Sequence, residues 1–233
     1  MGTTAGAQPP TSPTIDFHTL GRTLDDATVD RWELKAARRA LMNLKTLAGG
    51  QRMMELLAEQ IDAGDRFHRE LVAASGGTYR ESRADLTVRG LSGTDLAAWF
   101  RSQLTANGFE DRVFFAAHPE HYVQPPNYTG LVETIGGHTT RFKVALGREL
   151  PPPVRAYADP SYPLTLGTAS FTLDDGTPVA YALHQARDTD TGADVALRII
   201  YPSAAPDSMI EGHCEHLAIE FRNWIRNAAA AAR

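Results

Sequence analysis

The chain has 233 residues with 42% hydrophobic and 22% charged content, which suits one large domain, or one domain plus a small appendage, and excludes disordered and collagen-like classes. A single cysteine excludes a disulfide scaffold, and a net charge of -5 lacks the basic footprint that a nucleic-acid partner requires. There is no run of about 18 apolar residues, and the opening MGTTAGAQPPTSPT lacks the charged and apolar regions of a secretory signal, so no membrane partner and a cytoplasmic location are expected.

Residues 1–14 carry almost no apolar mass to offset the entropy of ordering and are expected to form a flexible tail. From Thr28 the pattern turns helical. Trp32, Leu41, Leu44 and Leu47 lie among Lys and Arg, Gly49-Gly50 marks a stop, and Met53, Leu57 and Ile61 recur at steps of four before Phe67 and Leu71. Residues 15–77 are therefore expected to form an N-terminal helical hairpin closed by Gly76-Gly77, which could cap its own domain or pair with a second copy as a homodimer. His18 and His68, in this region, receive no role.

Past Gly77 the texture changes to short alternating runs, which sets the expected boundary of a second domain over 78–233. A strand over 84–90 precedes Ser92-Gly-Thr-Asp95, a capping-box-like start to a short helix LAAWFRSQL. Strands are expected at 112–118, 129–135, 138–146, 163–173, 177–185 and 194–202, with Asp174-Asp-Gly176 as a hairpin turn. The chain ends in a long helix whose start is assigned to Ser208-Met-Ile-Glu211 and whose apolar stripe includes Leu217, Phe221, Trp224 and Ala228. This order is that of an α+β helix-grip fold of the START and pollen-allergen kind: an antiparallel sheet wraps a long C-terminal helix and leaves a cavity between them. The segment 147–162, with Pro151-Pro-Pro153, is expected to help shape that cavity. Helix-grip domains serve as carriers, cyclases and hydrolases, so function must come from the lining residues.

The terminal helix holds His213, His216 and Glu220 in GHCEHLAIEF. At about 100 degrees per residue they share one flank of the apolar stripe, and His216 and Glu220 have the i, i+4 spacing that supplies two ligands to a metal from adjacent turns. The same spacing also suits a boundary histidine beside a solvated carboxylate. Further candidates are His118 and His121 in HPEH, where Pro119 would end the run carrying Phe114 and Ala116. Glu133 in LVETI shares the face of Leu131 and Ile135, where a carboxylate needs a cationic partner unless that face is exposed. His184 shares its face with the small Ala180 and Ala182, and Tyr201 continues the face of Val195, Leu197 and Ile199, so both could reach a cavity or simply be buried and bonded to backbone. His138, on the face of Phe142 and Val144, is a reserve ligand.

Taken in order, HPEHY, the Glu of LVETIGG, the LHQ strand, the Tyr of RIIYP and HCEHLAIE resemble the diacetylphloroglucinol and phloretin hydrolase family over roughly residues 78–233. The resemblance implies a zinc-dependent helix-grip enzyme that cleaves the carbon-carbon bond between an acyl group and a phenolic ring. It puts Zn2+ on His118, Glu133, His216 and Glu220, and His121, His184 and Tyr201 around a small aromatic, phenolic substrate. His121 stands where the family has a polar amide, a departure that bears on the substrate, and His121 or His213 could instead be a ligand. Two rival expectations are a metal-free polyketide cyclase or aromatase on the same fold, and a binding protein for a small hydrophobic ligand.

Overall fold

The structure, a computed structural model, describes residues 15, 17–19, 21–103, 111–124 and 130–232; the expected tail over 1–14 lies outside them. The chain divides into two compact units, Met1–Leu41 and Met42–Arg233. In the first, β1 (Phe17–Thr19) pairs antiparallel with β2 (Arg22–Leu24) around Gly21, whose φ of 71° suits glycine in the tight turn. Asp25 Oδ1 accepts the Thr28 backbone N–H at 2.8 Å, as an N-cap does, at the start of α1 (Asp26–Leu56). The Gly49-Gly50 stop is realised as a kink: Gly49 has φ 69° and ψ 167°. The expected stripe through Leu44 and Leu47 faces solvent, at 62% and 83% exposure, while Lys45 is buried.

The second unit continues with α2 (Ala58–Ser75), which ends at left-handed Gly76. There follow β3 (Tyr79–Arg89), α3 (Gly93–Gln103), α4 (Asp111–Ala117), β4 (His121–Val123), β5 (Leu131–Ile135), β6 (His138–Leu146), α5 (Pro152–Arg155), β7 (Leu164–Thr172), β8 (Pro178–Thr189), β9 (Gly192–Pro202) and α6 (Asp207–Ala231). Among the described residues, seven strands form one antiparallel sheet in the order β3-β9-β8-β7-β6-β5-β4. This α+β arrangement of a sheet with a long C-terminal helix is compatible with a helix-grip fold. No helix among the described residues is long and apolar enough to cross a membrane.

Local chemistry explains most of these elements. Ser92 Oγ accepts the Asp95 backbone N–H at 3.0 Å and starts α3 where the capping signal is expected. The β7–β8 turn closes with a Gly176 N–H to Leu173 O bond, and Gly176 takes φ 87°. Gly136 and Gly137 form the tight β5–β6 turn with φ 55° and 84°. A Cβ on Gly136 would stand 2.7 Å from Met209 Cα, so this turn lets the first turns of α6 lie directly on the end of β5. Gly64 has the same function in α2, where a Cβ would meet Thr139 O of β6 at 2.2 Å.

The strand alternation separates two cores. On one face of the sheet, Ala180, Ala182, Ile199 and Tyr201 pack with Leu217, Phe221 and Trp224 of α6. On the other, Tyr181, Leu183 and Ile200 pack with Leu150 and Val154. Arg198 is buried on this second face, 3.2 Å from Glu81 and 3.8 Å from Asp159, and Gln185 holds Asp159 and Tyr162 through three hydrogen bonds. The segment 147–162 therefore covers the face opposite α6 and does not line the cavity, contrary to the expectation from its prolines.

Two further expectations are corrected. Residues 111–117 form helix α4, not a strand: Phe114 and Ala117, three apart, are the buried pair, and Asn223 Nδ2 donates to Ala117 O at 2.7 Å to satisfy the helix end. Helix α6 begins at Asp207 behind Pro206, with no side-chain cap, so Ser208 lies inside the helix.

Candidate metal centre

Three elements deliver four ligand-type side chains to one place. Register pairs His121 of β4 directly with Glu133 of β5, and both are buried. Helix α6, seated on the β5–β6 turn, brings His216 and Glu220 from adjacent turns on the same flank. His121 Nε2 lies 3.1 Å from His216 Nε2, 3.3 Å from Glu220 Oε1 and 3.5 Å from Glu133 Oε2, and His216 Nε2 lies 3.6 Å from Glu133 Oε2. Donor atoms bonded to one tetrahedral ion at about 2.0–2.2 Å stand about 3.3–3.6 Å from one another. His121, Glu133 and His216 bring their donor atoms within 4.8 Å of one another and form a site that could hold a metal ion, and Glu220 adjoins it through its 3.3 Å contact with His121 Nε2.

The proton inventory points the same way. His121 Nδ1 donates to the Phe114 carbonyl at 2.9 Å, which fixes the ring so that Nε2 faces the cluster. Burial pushes the Glu133 carboxyl up to about 7, against the pull of His121 and with further repulsion from Glu220. Burial holds His216 well below the ordinary histidine range, with His121 adding repulsion. Burial also opposes the charge on His121, but the Glu220 hydrogen bond and the charges of Glu220 and Glu133 more than offset it and raise its pKa. A cation at the centre would compensate the charge of the buried carboxylates.

The structure thus brings Glu133, His216 and Glu220 of the expected zinc set together around His121. His118 stands one layer away: its ring stacks on His216 with centroids 3.7 Å apart, and its Nδ1 accepts the Glu120 backbone N–H at 3.1 Å. With Glu120 and His216 it forms a second grouping of ligand atoms within 4.8 Å of one another. His138 belongs to neither grouping and stacks on Phe67 with ring centroids 3.6 Å apart.

The cluster opens into a cavity between the sheet and α6 whose lining includes Phe142, Leu166, Phe221, Trp224, Glu133 and Glu220. Small Gly167, Ala169, Ala180 and Ala182 widen it. His184 and Tyr201 both line it, as their strand faces lead one to expect, and so does His213. The Tyr201 hydroxyl is hydrogen-bonded to His213 Nδ1. His184 Nδ1 accepts the Arg198 backbone N–H at 3.3 Å, which leaves the ring hydrogen on Nε2. Burial lowers His184 and His213 to about 3 and raises the Tyr201 phenol well above its usual range, so all three are uncharged at neutral pH.

Lys45 escaped the sequence reading. Its signal is a lysine amid LMNLKTL, four residues after Leu41, where a core-facing side chain belongs. No protein-family model and no curated protein matches the chain significantly.

Proposed function

We propose that the protein is a zinc-dependent hydrolase that cleaves the carbon-carbon bond between an acyl group and a phenolic ring, as the diacetylphloroglucinol and phloretin hydrolases it resembles do. The observation that carries the reading is the approach of His121 to His216, Glu133 and Glu220, the last three of which line an apolar cavity that also holds uncharged hydrogen-bond donors. In this reading His121, Glu133, His216 and Glu220 hold the zinc, and His118 supports His216 by stacking. Nitrogen and oxygen donors without sulfur suit zinc among the first-row ions that such a site accepts.

When bound by these residues, zinc would supply Lewis-acid activation of a carbonyl and of water at neutral pH. The remaining work belongs to the chain. Phe142, Leu166, Phe221 and Trp224 surround an aromatic ring and exclude bulk water, while the alanines of β7 and β8 leave room for its plane. A leaving ring carbon needs a proton, and a phenol can accept one there through its keto tautomer. Tyr201 holds a proton at Oη with His213 behind it, and His184 presents an Nε2–H that can hydrogen-bond a substrate oxygen. Because burial keeps these groups uncharged, they can orient a phenolic oxygen by hydrogen bonding without adding charge beside the carboxylates.

Zinc-loaded protein incubated with an acylphloroglucinol should release the carboxylic acid and the free phenol, followed by chromatography. Cyclised product, or bound and unaltered ligand in zinc-loaded protein, would replace this reading with a cyclase or a carrier.

A further inference from the structure

Lys45 is 3% exposed, although its side chain carries a charge and its helix neighbours Leu44 and Leu47 lie in solvent. Burying an ammonium is costly unless hydrogen bonds replace its water. Here Nζ donates to Pro119 O at 2.6 Å and also to His121 O. The Phe115 and Tyr122 rings stand 5.4 and 5.5 Å from the same nitrogen, within cation–π range. Every one of these contacts falls on residues 115–122, the short path from α4 to β4 that carries His118 and His121.

From this geometry we propose that Lys45 is a positioning residue for the metal centre: its ammonium ties two carbonyls of the HPEH turn and so fixes the backbone that aims His121 Nε2 at Glu133, Glu220 and His216. The proposal rests on the metal reading above. The turn needs such a tie. β4 is only three residues long and its pairing with β5 is irregular between His121 and Val123, so the strand ladder alone gives His121 little support. The carbonyl of His121 faces Lys45 while its ring faces the cluster, so one residue links the two.

The test is zinc affinity, measured by competition with a chromophoric chelator on the full chain, together with unfolding of the metal-free form. Wild type should bind one zinc. Lys45→Met keeps the apolar stem without the ammonium and should weaken zinc binding by about 10-fold or more, in the range lost when a group behind a ligand is removed. Lys45→Arg, which keeps charge and donors, should recover most of that loss. In a His121→Ala background Lys45→Met should change zinc affinity less than about 2-fold, because the residue through which it acts is gone. If Lys45→Met does not fold, Lys45→Gln takes its place under the same criteria. Wild-type affinity in the folded variant, with only the unfolding midpoint lowered, would overturn the positioning role and leave the metal reading standing. No zinc bound by wild type would overturn both.

Discussion

His121 and Glu133 are directly opposed partners across the β4–β5 ladder, and their tips lie 3.5 Å apart. Because side chains alternate along a strand, a one-residue slip would turn Glu133 away from His121. The register, not the proximity of two histidines in HPEH, therefore selects which imidazole joins the carboxylates. His121→Ala should weaken zinc binding by more than about 100-fold, beyond the usual cost of losing a group behind a ligand, whereas His118→Ala should cost about 10-fold or less. Chelator competition on both variants checks this, and the opposite order would transfer the ligand role to His118.

Tyr201 lies in the cavity and bonds His213, outside the four-donor cluster. Tyr201→Phe should keep full zinc content and lose turnover of an acylphenol by about 100-fold or more, the scale of a lost proton donor. His184→Ala should behave in the same direction. Metal analysis beside steady-state rates separates the two effects; unchanged rates in both variants would remove these residues from the chemistry.

Gly136 takes a left-handed φ of 55° and lies where a Cβ would come within 2.7 Å of Met209 Cα. Gly136→Ala should destabilise the metal-free protein by about 2 kcal/mol or more, because both the backbone conformation and the seat of α6 are disturbed. Zinc affinity should fall with it, since the same seat delivers His216 and Glu220. Urea unfolding and zinc titration of the variant measure the two consequences.

His68 of α2 is fully buried, its two ring nitrogens have no hydrogen-bond partner among the described residues, and the Phe67 and Phe142 rings meet it edge-on. Burial lowers it to about 4, with His138 adding repulsion. The unfolded chain thus binds a proton from about pH 6.5 downward that the folded chain refuses until about pH 4. Stability should be lost as pH falls through that window, by roughly 3 kcal/mol from this group. His68→Leu should remove this acid sensitivity and be at least as stable as wild type at pH 7, because unpartnered polar atoms are replaced by apolar ones. Urea unfolding at several pH values compares the two; parallel curves would show that His68 is protonated at no cost in the fold.

The long, strongly patterned elements were legible in the residues. The stripe of Leu217, Phe221 and Trp224 foretold the face of α6, and turn chemistry at Asp174–Gly176 foretold the β7–β8 hairpin. Short elements were not. Phe114 and Ala116 alternate as in a strand, while Phe114 and Ala117 have helical spacing, and only packing against α6 decides between them. The Ser208 signal failed because the helix already starts at Asp207 behind Pro206, so Ser208 lies inside it. Candidate ligands on α6 and β5 followed from periodicity. The choice between His118 and His121 did not, since it depends on the β4–β5 register and on a lysine more than seventy residues away.

The central claim is that the His121, Glu133, His216 and Glu220 cluster is a zinc site. The most direct measurement is the metal content of full-length protein purified without a histidine tag, before and after zinc readdition and dialysis. The account predicts about one zinc per chain in wild type, and most of it lost in both Glu133→Gln and His216→Ala. Metal content near zero after readdition, or full occupancy in both variants, would contradict it.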